Sequence, residues 1–300
     1  MKNNDIHMKI RDSFHTYAII TIIFWSLAYV LTRLALSYFS VYSLGFLRYL
    51  IASCTLIVVM FAAKMKLPDK SDAKWFAMAG ATGFFIYVIV FNKGSETLNA
   101  ATCSVVISTT PVITALLAYF IHKERLRVFQ WAAIAVAFSG AVILTMGSGN
   151  FTVNAGLLWL FSAVICLSFY NLLQRKLTKV YSALQTSAFS IFAGTLMLAV
   201  FLPVSVGEFM NAPALQLFYV AALGIFSSAV AYVSWSKAFA AAKNTSSVSN
   251  YMFVTPLLTV LLGFLIAGET PDNSTIYGGM IILTGLLLFN FGDRLRFNIL

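Results

Sequence analysis

Charge is what this sequence has least of. Only 10% of its 300 residues are Asp, Glu, Lys or Arg, against about a quarter in an ordinary soluble chain. So little charge cannot cover the surface of a water-soluble globule of this length. Cysteine is scarce too: Cys54, Cys103 and Cys166 lie within apolar runs without metal-ligand spacing, and read as reduced buried thiols. Histidine stands only at positions 7, 15 and 122, and neither G-x-S-x-G nor H-E-x-x-H occurs. A zinc enzyme or an intramembrane protease therefore lacks its parts, and no catalytic residue, metal or cofactor is expected. All ten acidic residues fall in loops, termini or helix ends. Proton-driven carriers place an acid at mid-membrane depth, so facilitated diffusion or exchange is the expected coupling. A channel's repeated pore charges or filter sequence is missing as well. The apolar runs are continuous rather than alternating, which excludes a porin-like barrel.

What is present is hydrocarbon. Hydrophobic residues make up 60% of the chain, and Phe occurs 27 times, more often than Lys and Arg together at 20. Mean hydropathy is +0.86. Ten stretches are long and apolar enough to span a bilayer, near residues 16–36, 41–63, 74–93, 99–121, 128–146, 154–174, 182–203, 214–236, 244–267 and 274–291. The longest polar loop runs only from Lys64 to Lys74, which leaves no room for an extramembrane domain. The basic start is not followed by a small-residue cleavage site, so the first run reads as a transmembrane helix rather than a removed signal. The expected fold class is an all-α integral membrane protein of ten transmembrane helices.

The net charge of +10 reports topology rather than nucleic acid. With the N-terminus inside, seventeen of the twenty Lys and Arg residues fall on the inner side, and every inner segment holds at least two. Arg33 and Lys93 lie at outer helix ends, and Arg48 lies within a span. Both termini are therefore expected in the cytoplasm of a cell whose inner (plasma) membrane carries the protein.

The chain also repeats itself. An offset of 145 residues maps Asn99 onto Asn244, Pro111 onto Pro256, Glu124 onto Glu269 and Gly140 onto Gly285. Thr110–Glu124 and Thr255–Glu269 share seven of fifteen residues, which points to duplication. Five is an odd number of helices, so the second unit enters the membrane upside down. The expected units are 16–146 and 154–291, two inverted five-helix repeats, a plan that places a transporter's site between its halves.

These motifs resemble those of the drug/metabolite transporter superfamily in its EamA-like branch. Helix 1 carries FWSLAYVLTRLAL (Phe24–Leu36), similar to the branch's opening motif, with Ser26 where Gly is common. Helix 2 carries GFLRYLIA (Gly45–Ala52), and helices 4 and 9 share the P-x-n-E ending. The resemblance implies ten helices around a central cavity, with helices 1–4 and 6–9 lining it and helices 5 and 10 peripheral. It further implies a secondary transporter working by alternating access, an exporter of small organic metabolites. Amino acids or related amphiphilic compounds are the expected substrates, because one buried cation plus aromatics suits a carboxylate with an apolar side. A sugar-phosphate or nucleotide-sugar exchanger, or a non-transporting membrane scaffold, are the alternatives. A homodimer is left open.

Site residues are those that are costly in a span unless they face protein or water. Arg48, roughly 10 Å inside helix 2, is either an anchor for a carboxylate or a clamp on neighbouring carbonyls. Trp25 and Tyr29 share a stripe on helix 1 with Thr32, and Tyr87 and Phe91 share one on helix 3. Tyr170 and Asn171 on helix 6, Trp235 on helix 8 and Asn250 on helix 9 complete the expected substrate-binding set. Tyr38, Tyr42 and Trp75 read as an interfacial belt. Hydroxyls before Pro111 and Pro256 are placed to satisfy carbonyls that proline leaves without donors. Glu124 and Glu269 are expected to stabilise the starts of helices 5 and 10, and Lys93 to pair with Glu96.

Overall fold

A computed structural model describes residues 14–123, 126–146, 154–241 and 250–296. Among them every regular element is helical. In chain order these are α1 (Phe14–Ala35), α2 (Val41–Ala62), α3 (Lys70–Ser95), α4 (Ala100–Ile121), α5 (Val128–Met146), α6 (Ala155–Leu177), α7 (Ala183–Met210), α8 (Ala214–Ala238), α9 (Thr255–Ala267) and α10 (Asn273–Arg296). Seven of them, α1–α4 and α6–α8, are long and apolar enough to cross a membrane, and α5, α9 and α10 carry shorter apolar stretches.

Short polar residues start the helices. Ser40 accepts from the Ser43 amide at 3.3 Å, Asn99 from Thr102 at 2.7 Å and Asn154 from Gly156 at 2.8 Å. Ser182 and Gln185 form a reciprocal capping box on α7. Asp272 caps α10 by accepting from the Thr275 amide at 3.2 Å.

Burial runs opposite to that of a soluble protein. Phe61, Phe120, Leu196, Leu257 and Leu265 lie exposed on the outside, while Thr21, Ser26, Thr32, Arg48, Ser168, Ser190, Ser227 and Ser228 are buried. Lipid tails accept the first set, and the second, Thr32 excepted, finds hydrogen-bond partners inside the bundle. The chain is a multi-pass membrane protein.

Within the bundle α1 packs on α8 and α9, α6 on α3 and α4, α2 on α7 and α8, and α5 on α10. The α5–α10 pair closes backbone to backbone. A Cβ on Gly140 would stand 2.7 Å from the Gly278 carbonyl oxygen, and one on Gly278 2.8 Å from the Gly140 oxygen. Gly285 meets Ala133 and Ala137 in the same way, a small-residue seam of the kind lipid-embedded helices use.

Several expectations need correction. The run at 99–121 is not one helix: Ser108 and Thr109 form a turn before Pro111. The carbonyls there find hydroxyls, with Thr110 Oγ1 donating to Ile107 O at 2.6 Å and Thr109 Oγ1 to Val106 O at 2.7 Å. Helix 7 does not end at Pro203. A 3-10 turn at Ala199–Phe201 re-phases the chain, Pro203 falls in the first turn of Leu202–Met210, and no amide is missed there. In the run expected at 244–267, residues 244–249 lie outside the described residues, and a 3-10 turn at Asn250–Val254 precedes the helix that opens at Thr255. Glu269 does not serve α10. It caps α4, accepting from the Ala100 amide at 2.9 Å, because Gly268 at φ 65° turns the chain back after α9. Glu124 lies outside the described residues. Lys93 sits over the Tyr42 ring, 5.9 Å from its centroid, rather than against Glu96.

Candidate functional site

The site begins with an irregularity in α8. Residues Leu223–Val230 form a π-helical stretch, and such widened turns recur at functional positions. Gly224 opens it against α2, where a Cβ would fall 2.7 Å from Ile51 Cβ and 2.9 Å from the Arg48 carbonyl oxygen. That close approach brings Ser228 to Arg48, whose Nε donates to Ser228 Oγ at 2.9 Å. Arg48 is 8% exposed. No other hydrogen bond joins its guanidinium to the described residues, so the two terminal nitrogens that form the fork stay open. The clamp on backbone carbonyls is not formed among the described residues, since this bond goes to a hydroxyl.

An aromatic ring lies beside this cation, whose Cζ is 5.4 Å from the Tyr49 ring centroid. Tyr29 meets Phe91 edge-on at 5.7 Å, and Phe91 stacks on Tyr87 at 5.6 Å. A second group joins Trp25 to Tyr232 at 5.7 Å and to Trp235 at 5.1 Å. Phe84 joins the second group to Tyr49 and Tyr170, 5.3 Å from Tyr49, 5.1 Å from Tyr170 and 6.1 Å from Tyr232. Trp25, Tyr29, Tyr87, Tyr232 and Trp235 are each half-buried.

Of the residues expected from sequence, Trp25, Arg48, Tyr170 and Trp235 are linked through Tyr49, Phe84 and Tyr232, while Tyr29, Tyr87 and Phe91 form a separate group of rings. Tyr170 is held by Gly83, where a Cβ would stand 2.5 Å from its Cδ2. Asn171 instead bridges α6 to α4 through Thr114 Oγ1 at 3.3 Å. The side chain of Asn250 lies outside the described residues. Sequence reasoning missed Tyr49, Phe84, Ser228 and Tyr232. Tyr232 was within reach of it, three residues before Trp235 on one helical face.

At the far end of α1 a cavity of about 370 Å³ is lined by Arg33, Ser37, Glu96 and Glu269 with Leu34, Leu36 and Ala267. Arg33 donates to the Ser95 carbonyl at 3.0 Å and to the Glu96 carbonyl, and pairs with Glu269 Oε1 at 3.5 Å. This cluster ties α1 and α9 to the junction of α3 and α4.

The family model for EamA-like transporters matches residues 13–146 and 154–291. This chain belongs to the EamA-like transporter family. Among curated relatives of this EamA-like protein, the "Probable terminal-alkyne amino-acid exporter" of Streptantibioticus cattleyicolor is 28% identical over 272 residues, covering 91% of each chain. The transporter YdfC of Bacillus subtilis is 28% identical over 265 residues, covering 87% of this chain and 86% of its own. A solved crystal structure shares the fold with TM-score 0.62 at 19% identity, over 94% of this chain and 97% of that one. Family membership brings a small-molecule substrate and a lipid surround.

Proposed function

We propose that this EamA-like protein is a secondary carrier, not an enzyme, that exports small organic metabolites, amino acids or related amphiphilic compounds, by alternating access. The observation that carries the reading is Arg48: a buried guanidinium whose hydrogen bond to the described residues is made through Nε alone, beside the Tyr49 ring. The fork of that guanidinium suits a carboxylate bound bidentately, and the rings suit an apolar body. A single cation argues against a sugar phosphate, whose dianion calls for more than one positive partner. The outward direction rests on the relative named as an exporter.

Two inverted units, 16–146 and 154–291, give this site its place, and three pairs of features support the duplication. Ser26 on α1 donates to the Thr255 carbonyl at 3.2 Å, and Ser168 on α6 donates to the Thr110 carbonyl at 3.3 Å. The left-handed residues Lys123 and Gly268, which end α4 and α9, stand 145 apart. A π-helical stretch interrupts α3 at Ala81–Ile86 as another interrupts α8. In this reading all ten helices span the membrane, with both termini in the cytoplasm below the inner membrane. The Arg33 cluster is then an outer closure between a body of α1, α2, α8 and α9 and one of α3, α4, α6 and α7.

Purified protein in proteoliposomes, loaded with an extract of the producing cell and assayed for efflux by mass spectrometry, tests the reading. Efflux of carboxylated metabolites that falls away with Arg48→Met is the expected result. No flux of any solute, with a protein partner captured stoichiometrically, would show a scaffold instead.

A further inference from the structure

We infer that the Arg48 site selects a monoanion: a carboxylic acid with an aromatic or other flat apolar tail and no free ammonium group. This rests on the proposed reading of Arg48 as the carboxylate anchor, and it narrows the substrate class from amino acids at large to related acids that carry no ammonium group. The argument is one of charge balance. The ten acidic residues of the chain are Asp5, Asp12, Asp69, Asp72, Glu96, Glu124, Glu208, Glu269, Asp272 and Asp293, and none lies within the interior of a span. Glu208 accepts from the Ser40 amide at 2.9 Å near the end of α2, away from the rings. Glu269 is committed to Arg33 and the Ala100 amide. The interior thus offers one positive charge and no negative one.

A zwitterion's ammonium has a second recourse in other carriers, the freed carbonyls of a broken helix. In the break of α4 the freed carbonyls already have donors: Ser104 donates to Ala101 O at 2.8 Å and Ser108 to Val105 O at 2.6 Å, and Thr109 and Thr110 donate to Val106 O and Ile107 O. Ser168 donates to the Thr110 carbonyl as well, and Ser26 and Thr259 to that of Thr255. Each is left with one lone pair at most for an ammonium, and among the described residues the groups shown in contact with Arg48 are the Ser228 hydroxyl and the Tyr49 ring. The faces of Trp25, Tyr232 and Trp235 attract a cation only weakly beside a guanidinium that repels it. An ammonium entering here gives up water without an ionic partner, whereas a bare carboxylate neutralises the site.

Three probes that share one phenylethyl body separate the charges: 3-phenylpropionate (anion), L-phenylalanine (zwitterion) and 2-phenylethylamine (cation). Binding to the detergent-purified full chain is followed by intrinsic tryptophan fluorescence, with thermal shift as a second readout. The expected order is 3-phenylpropionate first, roughly tenfold or more tighter than phenylalanine on the scale of a charged hydrogen bond left unmade, and phenylethylamine weakest. Arg48→Lys reduces the preference for the acid and Arg48→Met abolishes it. If Arg48→Met does not fold, the order on the unaltered protein and the Lys variant still decide the matter. Phenylalanine binding as tightly as 3-phenylpropionate, with both weakened at Arg48→Lys, overturns the monoanion while the carboxylate anchor stands. An order that neither variant changes, or one led by phenylethylamine, overturns the anchor itself. Failure of all three probes to bind overturns the aromatic tail.

Discussion

Arg48 on α2 and Ser228 on α8 meet through a single 2.9 Å hydrogen bond, Nε to Oγ, in the interior of a chain with no acid at that depth. The bond fixes the direction of the guanidinium plane, and so of its open edge. Ser228→Ala leaves the charge in place but frees the plane. The expected outcome is an increase in KM for the transported acid by roughly tenfold, the worth of one charge-assisted hydrogen bond, with normal membrane insertion. Concentration-dependent efflux from proteoliposomes measures it, and an unchanged KM would separate Ser228 from the site.

If the proposed carrier reading holds, the Arg33–Glu269 pair is an outer closure and is expected to open when either residue is neutralised. In Arg33→Gln the ion pair and the donation to the Ser95 and Glu96 carbonyls weaken together. Cys103, buried beside Ser95 with Sγ 3.6 Å from its Oγ, then becomes accessible. Its rate of alkylation by an impermeant reagent from outside, in a background lacking Cys54 and Cys166, is expected to rise several-fold. A rate equal to that of the parent counts against the closure.

Topology has its own check. Lys70→Cys is expected to label only from the cytoplasmic side and Asn211→Cys only from outside, read by impermeant maleimide on intact and inverted vesicles. Labelling of both from one side reverses the inverted-unit assignment.

Tyr181 and Asp72 lie beyond the hydrophobic interior, and their contact should respond to pH. The Tyr181 hydroxyl donates to Asp72 Oδ2 at 2.8 Å, and this bond is the main reason its pKa is raised above the ordinary tyrosine value, with burial adding to it. A raised pKa in the folded state means the contact contributes fully below the unfolded tyrosine pKa and is lost as pH rises through the folded one. The unaltered protein is therefore expected to melt above Tyr181→Phe at neutral pH, and the difference is expected to vanish in strongly alkaline buffer. Melting of the two proteins across pH decides the matter, and a difference that pH does not change counts against the contact.

The seam between α5 and α10 predicts a sharp contrast. Gly140→Leu forces apart two backbones already in contact, and overpacking of this kind costs at least about 1–3 kcal/mol. Gly207, whose Cβ would meet nothing within 4 Å, is expected to accept Ala with little change. Melting of the purified variants by fluorescence-detected chromatography compares them.

The sequence made the apolar runs legible because lipid imposes a length on every helix, and each of the ten expected runs overlaps one described helix, with shifts at the ends. What it hid was phase. A proline reads as a stop, yet Pro203 sits where its missing amide is harmless, and nothing in the letters around Ala199 announces the 3-10 turn that arranges this. The π-helical stretches at Ala81 and Leu223 have no compositional mark either. Arg48 stood out because charge is expensive in a span. Ser228 did not, since one serine among many buried serines is distinguished only by which helix it faces. Glu269 misled for the same reason: its end of the helix was clear, but the neighbour it caps belongs to the other half of the chain.

The Gly140–Gly278 contact also sets an order of assembly. The two glycines are 138 residues apart, so at ordinary rates of synthesis α5 waits on the order of ten seconds for the helix that covers its seam. During that interval the groove is open to lipid or to a chaperone. A helix made long before its partner thus carries a surface that has to be shielded until α10 arrives.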